Sequence, residues 1–369
     1  MEEIANKPIA KIIWNGKNVT GDLQPFLSSV TYTDNEEGAA DDVSIVLDNG
    51  SGLWYGDWYP AEGDILELYL GYENKLLNCG LFQIDELNFT GKPDIITVKA
   101  IASFVTKSLR TRNSKAFEAQ TLRQIALYFC GKHGLKLVDN SDKMLGQIYI
   151  ERKTQEEKTD LQFLSELATE FGFIFSIKGN DLIFTSFYNL DNADAIKDIS
   201  IYQIGNYSIT EKCFDTYAYA NLVKRDAKKN TVSNEYQTFD GKTVKEDLLL
   251  ISGSGGNKKT QEAKVKAGLW SKNRFKQSGS LNDFPGDPYL VAGMNFNLTG
   301  LNLISGKYHI TKSNHTITGD GAYTTSVDIR KCGEILKPKR VPPPKIEKTE
   351  YDENTSDFDG NNSDEEPIE

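Results

Sequence analysis

GDILELYLG, residues Gly63–Gly71, places Leu66, Leu68 and Leu70 on one side of an extended segment with a glycine at either end. That alternation is the period-two signature of a half-buried strand. GLFQIDELN (Gly80–Asn88) and IITVKAIA (Ile95–Ala102) follow as a meander across the turn TGKPD. VSIVLD (Val43–Asp48) precedes them, with Val43, Ile45 and Leu47 in phase. These segments predict an antiparallel sheet closed into a small barrel.

The same order of segments returns near the far end of the chain as GMNFNLTG (Gly293–Gly300), GKYHITKSN (Gly306–Asn314) and TGDGAYTTSVDI (Thr318–Ile329). Gly63 aligns with Gly293, Gly71 with Gly300 and Gly80 with Gly306. In the central strand Phe82 meets Tyr308, Ile84 meets Ile310 and Asn88 meets Asn314 without a gap, and Gly91 falls opposite Gly319 two residues further on. Glycine between strands is common. Three consecutive strands in one order and spacing are not, and they point to a duplication that puts two similar barrels in one chain.

Between the copies the period changes. In TLRQIALYFCGKHG, Leu122, Ile125, Ala126 and Phe129 recur at helical spacing, with Thr121 and Gln124 placed as a capping box. TDLQFLSELATEFG repeats the device, with Leu161, Leu164, Ala168 and Phe171 as the stripe, Thr159 and Gln162 as the box and Gly172 as the stop. FIFSIKGNDLIF then reads as a hairpin turning at GND. The expected class is α+β, mainly β. It comprises a first barrel over 1–105, an α/β insert over 106–190, and a second barrel over 191–333 that exchanges strands with the first and carries a helix near 260–274. A basic, proline-rich linker and an acidic disordered tail are expected over 334–369.

Charge supports that division. The chain of 369 residues has a formal charge of −11, yet Glu347–Glu369 alone carries ten acids against Lys348, which leaves the body at −2. A neutral body lacks the positive footprint of a nucleic-acid binder, and KPKRVPPPKI ahead of the tail suits an extended linker. No apolar run reaches the roughly 18 residues of a membrane span, and MEEIANKPIAKIIW lacks the basic-then-apolar pattern of a secretion signal. The expectation is a protein made in the cytoplasm and without a membrane partner. Cys79, Cys130, Cys213 and Cys332 stand singly, which argues against a disulfide framework and a zinc ribbon.

GLWYGDWYPAEGD (Gly52–Asp64) concentrates two of the four tryptophans and two tyrosines between strands. So much apolar area calls for cover, from the chain's own core or from a partner. Trp58 is expected to turn inward beside Pro60, with at least one of Trp54, Tyr55 and Tyr59 at an interface. The matching loop of the second copy, NDFPGDPYLVAG, offers Phe284 and Tyr289.

From KIIWNGKNVT to VDIRK the chain resembles the late control D family of tail proteins, the baseplate hub of contractile phage tails, whose fold also forms the hub half of type VI secretion spike proteins. The resemblance is densest in LWYGDWYPAEGDILELYLGY, KTDLQFLSELATEFGFIFSIKGNDLIF, GDPYLVAGMNFNLTG and YHITKSNHTITGDGAYTTSVDIR. Trp54, Trp58, Pro60, Gly63, Asp64 and Gly71 match the family's first pattern, Gly286, Asp287, Pro288 and Gly293 the opening of its second barrel, and His315 and Tyr323 its closing motif. The tail beyond Lys339 departs from the family. The resemblance implies a homotrimer of two-barrel chains that adapts a six-fold tail tube protein to a three-fold central spike protein, with baseplate wedge and tape-measure proteins as neighbours. Such a part of a phage tail or a phage-tail-like bacteriocin would be assembled in the bacterial cytoplasm and then carried in the particle. It implies no enzyme activity, no catalytic residues, no cofactor and no metal.

Sharper chemical readings fare poorly on their residues. SGSGGNKKT fails as a phosphate loop because Lys258 occupies the required glycine position. Cys130 and His133 could pair as nucleophile and base, but CGKHG is explained as a helix stop. His309 and His315 share strand parity, yet six residues of strand span about 20 Å, too far for ligands that each lie about 2 Å from one ion. Two rival functions remain, a tail-tip cell-wall hydrolase and a carbohydrate-binding β-module with the aromatic loop as its sugar platform.

Overall fold

The computed structural model describes residues 7–37, 39–102, 109, 111–226, 231–239, 248–252 and 257–333. Contacts divide the chain into Met1–Leu336 and Lys337–Glu369. The linker and tail expected over 334–369, and the glycine-rich 253–256, lie outside the described residues.

The first copy contains β1 (Pro8–Trp14), β2 (Lys17–Asn18), β3 (Leu27–Asn35), β4 (Asp42–Asp48), β5 (Ile65–Tyr72), β6 (Lys75–Thr90) and β7 (Ile95–Ala102). They pair antiparallel in the spatial order β3-β4-β7-β6-β5-β1-β2. Alternation does what the sequence demands: Val43, Ile45, Leu47, Leu66, Leu68 and Leu70 all enter one core with Phe82, Ile84 and Trp54.

In the insert, β8 (Arg112–Thr121) pairs with β10 (Tyr149–Thr159), while β9 (Lys136–Asn140), β11 (Phe173–Lys178) and β12 (Asp181–Ser186) form a second small sheet. Both capping boxes are present, Thr121 with Gln124 ahead of the helix Leu122–His133 and Thr159 with Gln162 ahead of Asp160–Phe171. Each satisfies two backbone donors that a helix start leaves open. The second helix buries Phe163 and Leu167 beside Leu164, Ala168 and Phe171, whereas Leu161 of the expected stripe is only partly covered.

The remainder comprises β13 (Ala195–Ser200), β14 (Asn206–Glu211), β15 (Tyr219–Asp226), β16 (Thr231–Phe239), β17 (Leu248–Ser252), the helix Lys258–Asn273, β18 (Gln277–Pro285), β19 (Asn295–Thr299), β20 (Gly306–Thr318) and β21 (Tyr323–Lys331). β15, β16 and β17 form a separate sheet against which Val265 and Leu269 of the helix pack. The other strands run β14-β18-β21-β20, with β19 beside the first half of β20 and β13 beside β19.

The duplication is visible in register. Leu66 faces Phe82 where Phe296 faces Tyr308, and Ile84 faces Ala100 where Ile310 faces Ile329. The amide of Ile84 bonds the Asp64 carbonyl at 3.0 Å, and that of Ile310 bonds the Met294 carbonyl at 2.9 Å. Both ladders slip at the same place, after Ile84 and after Ile310. Gly63 and Gly293 share a left-handed φ of 91° and 89°, a conformation that costs glycine alone nothing sterically. The copies diverge at their outer strands, since β1 runs antiparallel to β5 but β13 runs parallel to β19.

One sheet of thirteen strands spans both copies, because the second half of β20 pairs with β3 over Lys312↔Asn35 to Thr318↔Ser29. Ile317 and Tyr323 accordingly lie in the core of the first copy.

Candidate assembly interface

Asp64 anchors the end of the aromatic loop. It accepts hydrogen bonds from Trp14 Nε1 at 2.9 Å, Asn15 Nδ2 at 2.8 Å and the Ala61 amide at 3.1 Å. Burial pushes its carboxyl up, and bonds from Asn15, Trp14 and Ala61 outweigh this and hold it below the usual carboxylate range. Asn49 Oδ1 accepts from the Trp54 amide at 3.1 Å and fixes the other end.

The loop therefore has one inward ring, and it is Trp54 rather than Trp58. Trp54 is 2% exposed, donates from Nε1 to the Asp48 carbonyl at 3.1 Å, and lies edge-on to Phe26 and Trp58. Trp58, expected to point inward, is 38% exposed and rests on Phe26 and Trp54 from outside. The single turn Leu53–Tyr55 explains the exchange, since it turns Trp54 to the core and Tyr55 out. Tyr55 and Tyr59 are 55% and 57% exposed and both lie against Phe89 of β6, with ring centroids 5.5 and 5.8 Å apart.

The second copy divides its aromatics the same way. Phe284 is buried with Leu281, Phe296 and Tyr308 and is no surface residue of this chain, whereas Tyr289 is 60% exposed. Of the six aromatics singled out in sequence, Tyr55, Trp58, Tyr59 and Tyr289 remain on the surface. Sequence reasoning missed Phe89, Tyr202, Tyr207 and Phe214, the last three exposed around β14. The alternation of Leu87 and Phe89 beyond Ile84 was the available signal for the first.

The joint between the copies is polar and closed. His315 stacks on Tyr32 and makes hydrogen bonds with Tyr323 Oη at 2.8 Å and Ser313 Oγ at 3.0 Å. Burial lowers its pKa to about 4, so the ring is neutral. Tyr72 of the first copy donates to the Gly286 carbonyl at 2.9 Å. A side chain at Gly286 would strike the Tyr323 ring at 2.1 Å, which explains why this position of the motif is glycine. Lys178 of the insert bridges Asp34 and Asp41 beside the joint.

The remaining candidates for chemistry are held in internal contacts. Burial pushes the Cys130 thiol up, away from the thiolate that nucleophilic attack needs. His133 Nε2 is bonded to the buried Asp160 at 2.7 Å. His309 is enclosed by Asn295 and Glu36, separately from His315. No helix among the described residues is long and apolar enough to cross a membrane.

No protein-family model matches the chain. It is 26% identical over 244 residues, 66% of its length, to the probable baseplate hub protein of Escherichia phage 186, and the match spans 60% of that protein. It is 28% identical over 178 residues, 48% of its length, to the probable baseplate hub protein of Escherichia phage P2, spanning 45% of that protein. The fold is that of a 43 kDa tail protein from prophage MuSo2 of Shewanella oneidensis, with a TM-score of 0.64 at 14% identity, covering 88% of this chain and 98% of the other. The chain is thus a relative of phage baseplate hub proteins, as its motifs implied.

Proposed function

We propose that this relative of the phage baseplate hubs is itself the hub of a contractile injection particle, and that it works as a structural adaptor without chemistry of its own. The observation that carries this reading is the duplication in register, which gives each chain two equivalent β units. Three such chains in a ring would offer six similar positions to a tail tube and three to a central spike. A heterologous ring repeats only as often as its building block, so the mismatch between six and three calls for a doubled block. The near-neutral body offers little self-repulsion against ring closure. On this reading the isolated chain is a monomer or a weak oligomer that the spike locks into a trimer. Baseplate wedge and tape-measure proteins are its further neighbours.

The exposed aromatics fit a surface covered only on assembly. Tyr55, Trp58 and Tyr59 present more ring area than Tyr289, so the first copy should supply the larger apolar share of contacts. Deleting the gene should abolish sheathed particles with a spike, and restoring it should recover them. Normal particles without the chain, or clearing of peptidoglycan by the purified protein, would refute the reading.

A further inference from the structure

We propose that the insert, with β15–β17 and the helix Lys258–Asn273, is one body that swings on the double barrel, and that Lys178 is its latch.

The swinging body has cores of its own. The helix Lys258–Asn273 gives Ala263 to the core of the insert and Val265 and Leu269 to the core of β15–β17, which joins those two parts. Phe187 stacks on Trp270 and adds the short helix Phe187–Asn192 to them. The barrel cores are separate. Among the described residues, no hydrophobic cluster holds side chains from both bodies. Interfaces within a chain that lack a large apolar contact ordinarily permit relative motion.

Charge holds the seam instead. Lys178 reaches Asp34 and Asp41, Arg274 at the end of the long helix pairs with Glu37, and Asp191 pairs with Arg330 of β21. Glu36 bonds His309, which lies directly across the ladder from Arg330, so all three ties gather around residues 34–41. Buried ion pairs recover little more than the hydration they give up. The seam leaves further groups unsatisfied: of the seven buried side-chain nitrogen and oxygen atoms without a hydrogen-bond partner among the described residues, four are here, Glu36 Oε2, Arg274 Nε, and Arg330 Nε and Nη2. Both guanidiniums lean on one ring, Trp270, at 4.8 and 5.1 Å from its centroid, and divide what it offers. A cleft of about 260 Å³ already separates Asn35, Glu36 and Asp41 from Gln162, Glu166 and Ser176. Opening therefore hydrates charged groups that closure leaves unsatisfied, and this offsets the loss of the ion pairs.

Among the described residues the chain passes between the two bodies at 192–195, 211–219 and 273–277, each time from a strand or to a strand of the second copy. The Lys212 amide bonds the Lys276 carbonyl at 2.7 Å and ties two of these crossings together. Lys178 grips the first copy. Crossings on one copy and a latch on the other are the parts of a hinge.

The test places spin labels in pairs on the full chain in a Cys213→Ser background, where the three remaining cysteines are buried. Glu73→Cys on the first copy is paired with Arg123→Cys or Lys136→Cys on the insert, and with Asp328→Cys on the second copy as reference, all four sites being exposed. Electron resonance reads the distance within each pair. With Lys178 in place, every pair should give one narrow distance. Lys178→Met leaves Asp34 and Asp41 without their cation. It should add to at least one insert pair a second distance about 5 Å or more from the first, in about a tenth of the molecules or more, while the reference pair keeps its single distance. Asp34→Asn with Asp41→Asn cuts the same tie from the barrel side and should do the same, and Lys178→Arg should restore the single distance. Insert pairs that stay single in both cut variants overturn the proposal. Spreading of the reference pair along with the insert pairs overturns it as well, because that is general loosening rather than a hinge.

Discussion

Replacing Trp54 by alanine should cost the free chain far more stability than Tyr55→Ala with Tyr59→Ala, which should instead weaken incorporation into particles. Trp54 is almost wholly buried and edge-on to two aromatic rings. A buried tryptophan covers about 150–250 Å², which at about 25 cal/mol per Å² corresponds to about 4–6 kcal/mol. Alanine still covers part of that area and the vacated space partly collapses, which brings Trp→Ala costs to about 3–5 kcal/mol in practice. The lost bond to the Asp48 carbonyl adds at most about 1 kcal/mol, since Asp48 is exposed and water can replace the donor. A loss of about 4 kcal/mol is therefore expected for Trp54→Ala. Tyr55 and Tyr59 are more than half exposed and each gives up one ring contact with Phe89, so each substitution should cost about 1 kcal/mol or less. Urea unfolding of the free chain measures the first effect, and incorporation into particles measures the second. The reasoning fails if Trp54→Ala unfolds at the wild-type urea concentration, or if the tyrosine pair loses as much stability as Trp54.

His315→Gln should flatten the acid side of the stability profile. His315 is neutral in the fold with a pKa near 4, so between about pH 6.5 and 4 the unfolded chain takes a proton that the native chain refuses. Stability should fall on acidification through that window by on the order of 3 kcal/mol relative to the variant, as read by melting at a series of pH values. Above pH 6.5 the difference should be constant. Lys178→Ala leaves buried Asp34 and Asp41 without their cation. It should cost about 2–4 kcal/mol at neutral pH, somewhat less than a fully enclosed pair because the lysine is 36% exposed, and the deficit should shrink in acid as Asp41, whose carboxyl burial pushes up, takes a proton. Gly286→Ala drives a methyl into Tyr323 and should destabilise by about 1–3 kcal/mol; an unchanged melting temperature would show that the joint yields freely.

The strands and helices were legible because their patterns are local. Alternation in VSIVLD and ILELYL and the two capping boxes leave little choice of structure. The duplication was legible for a different reason: Phe82 with Tyr308 and Ile84 with Ile310 needed only gapless spacing, and those residues do hold equivalent ladder positions. What the sequence could not convey is which copy each late strand serves. β20 and β21 put Ile317 and Tyr323 into the first core, because one long strand changes partners from β19 to β3 midway, and no periodicity marks such a change. The inward tryptophan was misassigned for a similar reason, as proximity to Pro60 says less than the turn Leu53–Tyr55 about where a ring points. Phe284 looked like a loop aromatic, yet it lies within β18 and faces the core.

The central claim is that two equivalent units per chain build a ring of six from three copies. Native mass measurement of the complex between this chain and the spike of its particle tests it most directly. Three copies of the chain per complex are expected, with the complex falling apart to monomers when the spike is removed. Two or six copies, or a stable monomer bound to the spike, would contradict the account.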